Sequence, residues 1–239
     1  MQKPFTPEGL RNRFPESQHL TYNYSQADQD IFVLSVLNGK RNGTYLEIGC
    51  GDGFNINNTA LLETKFEWTG ISIDIYKLYA DTWTRQNPIE TGNGLTVDYL
   101  DLLQRHNINT TDLDYLSIDC DPPNQTLCIL KRLPLDKIRF AVITFEHDCY
   151  AHGPDVKNKS RAYLESYGYQ LIVSNVSDCG LARDFEDWWV HPELVDSTIV
   201  TMHTDLRDIP KDYTWYLYNR IPGSLKDTTW VKEFYQNTL

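Results

Sequence analysis

The stretch YLEIGCGDGFN, residues 45–55, constrains the fold more than any other part of the chain. An apolar, β-prone run from Thr44 to Ile48 leads straight into Gly49-Cys-Gly51-Asp-Gly53. Glycine at alternate positions suits a backbone that turns sharply and leaves bare main chain for a ligand to approach. With a helix expected from Asn58 to Lys65, this is the nucleotide-cofactor turn of open α/β sheets. The next apolar run, Trp68 to Ile73, ends in Asp74, where a carboxylate can accept both hydroxyls of a ribose.

Two cofactor classes use such a turn. Dinucleotide enzymes place glycine at the first, third and sixth positions, and Phe54 stands at the sixth here. Methyltransferases that use S-adenosylmethionine take Glu-x-Gly-x-Gly-x-Gly, and Glu47-Ile-Gly49-Cys-Gly51-Asp-Gly53 matches every fixed position. The expected cofactor is therefore S-adenosyl-L-methionine, with an NAD-dependent oxidoreductase as an alternative.

The rest of the chain alternates strand and helix. Helices are expected at 27–38, 76–85, 98–106, from Pro122-Pro123 to about Leu133, and at 157–167. Strands are expected within 88–97 and at 113–118, 140–145 and 169–176. Such alternation implies an α/β, Rossmann-like class I methyltransferase fold, a mostly parallel central sheet with helices on both faces. One domain over 1–239 is expected. It divides into an N-terminal helical extension (1–40), the Rossmann-like core (41–200) and a C-terminal segment (201–239).

Composition narrows the partners. The net charge is −11, with only short basic spots such as Lys131-Arg132, so a nucleic-acid substrate is not expected. No run is long enough to span a membrane, and the opening MQKPFTPEGLRNRFPES carries no apolar signal segment, so a cytoplasmic protein is the expectation. The five cysteines, Cys50, Cys120, Cys128, Cys149 and Cys179, form no CxxC pair and read as reduced thiols.

Beyond the glycine turn, SQADQDIFVL (25–34), NGTYLEIGCGDGFNINNT with Glu63 after it, and LDYLSIDCD followed by VITFEHD resemble the FkbM family of S-adenosylmethionine-dependent methyltransferases. The resemblance spans roughly residues 22–150 and implies O-methylation, often of sugar hydroxyls. It implies that Glu47, Gly49 and Gly51 face the methionine and ribose portions of the cofactor and that Asp74 holds the ribose. It further implies that Asp98 reaches the adenine amine and that Gln26 and Gln29 close over the cofactor from an N-terminal helix. The chain departs from the family after the fourth strand, where Asp119-Cys120-Asp121-Pro122 keeps a second acid and lacks a glycine.

In an open parallel sheet, ligands lie outside the carboxyl ends of the strands. Asp119 and Asp121 follow one expected strand, and Glu146, His147 and Asp148 follow its expected neighbour. A sugar hydroxyl needs a base on its proton or a metal to lower its pKa. His147, Glu146 and Asp119 are the candidate catalytic residues, His147 as the base. Asp119, Asp121 and Glu146 are a candidate oxygen set for a divalent cation such as Mg²⁺. Phe185-Glu-Asp-Trp188-Trp189-Val-His191 reads as a sugar-binding wall, with Asp148, Trp188, Trp189 and His191 on the acceptor side and His191 as a second candidate base. Asp121-Pro122-Pro123-Asn124 resembles the acceptor motif of adenine amino-methyltransferases, but Asn124 offers no ring to stack on a base. The acceptor is thus expected to be a small molecule or glycan. A scaffold that binds the cofactor without turnover is the alternative from another class.

Overall fold

The apolar runs form strands because β-branched and aromatic residues of this density need cover on both faces. The computed structural model describes residues 2–177, 183–206, 211–212 and 217. The first five strands are β1 (Thr44–Ile48), β2 (Thr69–Asp74), β3 (Ile89–Thr91), β4 (Asp112–Ile118) and β5 (Arg139–Glu146). They are followed by β6 (Gln170–Ser177), β7 (Asp184–Val190) and the two-residue β8 (Lys211–Asp212). All belong to one eight-stranded sheet in the order β8-β6-β7-β5-β4-β1-β2-β3. β7 runs antiparallel to both its neighbours, and every other pair is parallel. The order reverses between β1 and β4, which opens a crevice at their carboxyl ends. Strand order and reversed strand together make this a Rossmann-like class I methyltransferase fold.

Helix α1 (Gln29–Val36) precedes the sheet, and α2 (Ala60–Phe66), α3 (Lys77–Asp81), α4 (Tyr99–Arg105) and α5 (Pro123–Leu130) join the parallel strands. The short α6 (Cys149–His152), then α7 (Asp155–Ser166) and α8 (Ser197–His203), complete the layers. One face of the sheet, with Tyr45, Tyr115, Val142 and Trp188, packs on α1, α2 and Val200 of α8. The other, with Leu46, Ile71, Leu116, Ile143 and Trp189, packs on α4, α5 and α7. Alternation along each strand decides the face of every side chain, including those at the strand ends.

Several expected elements are altered. The helix expected at 76–85 stops at Asp81, because Arg85 turns inward and is wholly buried at its side chain. The helix expected at 27–38 begins at Gln29, after Asp28 in the left-handed region, so Gln26 sits in the preceding turn. The strand Asp184–Val190 was expected as a sugar-binding wall and is instead an interior strand. Of the C-terminal segment expected from 201, only 201–206, 211–212 and 217 fall among the described residues, and Cys179 lies outside them. Among the described residues, no helix is long and apolar enough to cross a membrane.

The contact between α1 and the sheet centres on Phe32 and Trp188, stacked at 4.3 Å with 28° between planes and both fully buried. Phe32→Ala is expected to cost about 3–5 kcal/mol, measured by urea unfolding.

Candidate active site

The glycine turn is held from beneath. Glu47 on β1 is buried, and its carboxylate accepts from Asn57 Nδ2 (2.9 Å), Thr59 Oγ1 (2.8 Å) and Ser72 Oγ (2.9 Å). Arg85 adds a longer contact to Glu47 at 3.4 Å and donates to Glu63 (2.8 Å), the Tyr45 hydroxyl (2.7 Å), Thr59 (2.9 Å) and Asn57 (3.1 Å). The Glu47 carboxylate, expected to face the cofactor, is thus engaged with the turn's own supports.

Gly49, Gly51 and Gly53 all have positive φ. A Cβ on Gly49 would lie 1.7 Å from the Asp119 carbonyl oxygen, so the turn and the end of β4 are in direct contact. A Cβ on Gly51 would meet nothing within 4 Å, which leaves open space above bare backbone. Asp74, mostly buried, accepts from Gly51 N–H (3.0 Å) and Tyr76 N–H (2.9 Å), one bond to each oxygen. Each oxygen keeps a second lone pair for a ribose hydroxyl. The open side of Gly51 and the Asp74 carboxylate fit an adenosyl cofactor. Asp98, expected at the adenine, is exposed and caps α4 by accepting from Asp101 N–H (3.1 Å).

Beside the turn, acids converge at the ends of β4, β5 and β7. Asp119 and Glu146 are half-buried neighbours joined by a hydrogen bond in which Glu146 is the donor. Burial, then mutual repulsion, holds Glu146 well above the usual carboxylate range, and burial raises Asp119 also. Asp148 is pushed up to about 6, first by burial and then by Asp119 and Asp121. Sequence reasoning missed Glu186, which faces Glu146 across the antiparallel β5–β7 pair. It accepts from Gln29 Nε2 (2.6 Å) and Trp188 Nε1 (2.9 Å), and burial pushes it up to about 8. Its signal was the alternation in DFEDWWV, which reads as a strand with Glu186 and Trp188 on one face.

Other expected residues lie elsewhere. His147 is fully buried, its Nδ1 accepting from Cys149 N–H (3.2 Å) and its Nε2 3.5 Å from Asp187. Burial alone would raise Asp187, but the neighbouring imidazole of His147 and the hydrogen bonds from Arg161 (2.7 and 2.9 Å) hold it below the usual range. An imidazole turned into this cluster does not suit a base facing the crevice. Trp188 and Trp189 are core residues with no exposure, so they form no sugar wall. His191 N–H bonds Ala141 at the opposite end of β5, and the ring packs edge-on to Tyr169 at 5.3 Å. Its strand runs antiparallel, which carries it away from the acids. Asp121 is exposed beyond them. Among the described residues, no three His, Cys, Asp or Glu side chains are grouped to hold a metal ion. Asp119, Asp121 and Glu146, expected as a Mg²⁺ set, do not form such a group.

No family model matches the chain. No curated protein matches it either. It is similar to solved structures of methyltransferases. An O-methyltransferase from Bacillus cereus in complex with SAH is 17% identical over 71% of this chain and 82% of that one, TM-score 0.47. Magnesium protoporphyrin IX methyltransferase from Synechocystis PCC 6803, with bound SAM, is 13% identical over 70% and 79%, TM-score 0.47. A putative rRNA-methylase from Clostridium thermocellum is 13% identical over 72% and 97%, TM-score 0.48. The fold class is carried by the strand order and not by these likenesses.

Gly51→Ala, at φ 57°, is expected to keep the fold at a cost of about 1–2 kcal/mol and to abolish S-adenosylhomocysteine binding in calorimetry, because the added methyl enters open space above the turn. A second expectation concerns Glu186, whose folded value near 8 exceeds its usual 4.5. Its contribution to stability is fully present below about pH 4.5 and is lost as pH rises toward 8. Thermal unfolding of Glu186→Gln between these limits is expected to show a flatter decline than the native chain, with Asp119, Glu146 and Asp148 supplying the residual slope.

Proposed function

We propose that this chain is an S-adenosylmethionine-dependent methyltransferase that methylates a hydroxyl group, with a sugar or related polyol as acceptor. The reading rests on the contact between Gly49 and the Asp119 carbonyl, which sets the cofactor turn against the Asp119–Glu146 carboxyl pair. The FkbM-like segments favour a sugar hydroxyl. When bound, S-adenosylmethionine supplies a methyl group on a sulfonium, open to in-line displacement.

The chain's part is to orient the acceptor and take its proton. Asp119 is the proton acceptor. Glu146 donates to it and fixes the carboxylate's direction. A carboxylate raised toward neutrality is better matched to a hydroxyl proton than an ordinary one. His147 acts from behind, through Asp187 and the backbone of the β5 end, and is not the base. Asp121 and Asp148 suit hydroxyl-rich acceptors, since carboxylates accept O–H hydrogens. They disfavour a polyanion, in keeping with the net charge of −11. No step is assigned to a divalent cation.

Asp119→Asn is expected to lower kcat about 10²–10⁴-fold, with S-adenosylhomocysteine affinity within about twofold of the native value. Methyl gain on a glycan panel, read by mass spectrometry, supplies the turnover measurement. The acid limb of kcat/KM is expected to sit above the usual carboxylate range, and Asp121→Asn to move it to lower pH by removing a neighbouring charge. Near-native turnover in Asp119→Asn would overturn the assignment.

A further inference from the structure

Ile56 carries the sharpest local conflict among the described residues. Nine non-glycine residues among those described have positive φ, and all but Ile56 (φ 46°) are Asn, Asp or Glu. Asn and Asp take this conformation at low cost, whereas a β-branched side chain crowds the neighbouring carbonyl. Burial does not offset the conflict, because Ile56 is 50% exposed.

The surrounding loop holds the conformation in place. Asp52 Oδ1 accepts from Phe54 N–H (2.9 Å) and Asn55 N–H (2.7 Å). Asn57 Nδ2 donates to Glu47 (2.9 Å) and to the Cys50 carbonyl (3.1 Å). Asn57 Oδ1 accepts from Thr59 N–H, Ala60 N–H and Arg85. The bond from Asn57 to Cys50 brings Ile56 beside the Gly49–Gly51 turn. Two residues earlier, Phe54 packs on Tyr24 at 5.6 Å, next to the turn that carries Gln26. An asparagine stands on either side of Ile56, so the sequence has an easier residue at hand and does not use it. Strain of this kind persists where the surroundings over-determine it, and it clusters at ligand sites.

We infer that Ile56 is a cofactor-binding residue, displayed in a strained conformation so that its apolar side chain covers the adenosyl cofactor at the open side of Gly51. This rests on the methyltransferase reading. An isoleucine side chain closed over the cofactor's aliphatic and sulfur-bearing portion gains the free energy of its own burial, which the unbound chain forgoes. Ile56 thereby trades stability of the free protein for affinity.

The test compares the native chain with Ile56→Asn, Ile56→Gly and Ile56→Val, using thermal unfolding without ligand and calorimetry with S-adenosylhomocysteine. Ile56→Asn is expected to raise Tm by about 3 °C and to weaken binding about tenfold. Ile56→Gly is expected to weaken binding similarly, with a smaller gain in Tm because glycine loosens the unfolded chain. Ile56→Val, still apolar and β-branched, is expected to keep both native values within about twofold in Kd and 1 °C in Tm. Native-like affinity in Ile56→Asn overturns the inference, and so does weakened affinity with no gain in Tm. A native chain that binds neither S-adenosylmethionine nor S-adenosylhomocysteine overturns the methyltransferase reading as well. Native binding with an unchanged variant overturns this inference alone.

Discussion

A single guanidinium underpins the cofactor turn. Arg85 leaves the α3–β3 connection, enters the interior with no exposed side-chain surface, and meets the carboxylates of Glu47 and Glu63. Its donors also reach Tyr45, Thr59 and Asn57, while its flat face lies 5.1 Å from the centroid of Trp83 and 5.5 Å from that of Tyr45. Lysine, with one compact ammonium, lacks the planar fork to serve so many acceptors. A buried charge of this kind costs desolvation and is worth having only when its bonds are all made. Here they are made by residues on both sides of the glycine turn, so the network fixes the turn's shape.

That arrangement explains why Glu47 supports the site and does not line it. Glu47, Ser72 and Ser117 stand in register on one sheet face, and Asn57, Thr59 and Arg85 close over Glu47. One step further along the same face come Asp119, Glu146 and Glu186. The first row is satisfied by donors. The second is short of them, since Glu186 has Gln29 and Trp188 while Glu146 has Asp119, another acid. Burial is the first cause of the raised protonation of Asp119, Glu146 and Glu186, and repulsion from neighbouring acids adds to it.

The central parallel strands β1, β2, β4 and β5 were legible because each is a largely apolar run that ends at an acid or a glycine turn. The Glu47-x-Gly49-x-Gly51-x-Gly53 pattern made the crevice legible too, since bare backbone and a following helix have few other uses. Three things were not legible. Asp98 and a ribose- or adenine-binding acid look alike in sequence, because a helix cap also wants a carboxylate after a strand. His147 follows Glu146 directly, and only the backbone's course past the strand end decides which side it faces. The tryptophans of β7 read as a surface wall because acids interleave them. In an antiparallel interior strand those acids are buried, held by Gln29 on one face and by Arg161 on the other.

Several features that cost stability lie at the carboxyl end of the parallel strands. Ile56 is strained there, and Glu146 and the fully enclosed Glu186 are held above the usual carboxylate range, first by burial. At the opposite end of the strands His191, Ala141 and Tyr169 meet in ordinary packing. A fold selected for stability alone would place asparagine at 56 and a neutral residue at 186. Strain at Ile56 beside raised acids on the crevice side fits a site shaped by what binds there. The Arg85 network makes this tolerable, because a rigid turn lets unfavourable side chains be displayed without the loop relaxing away from them.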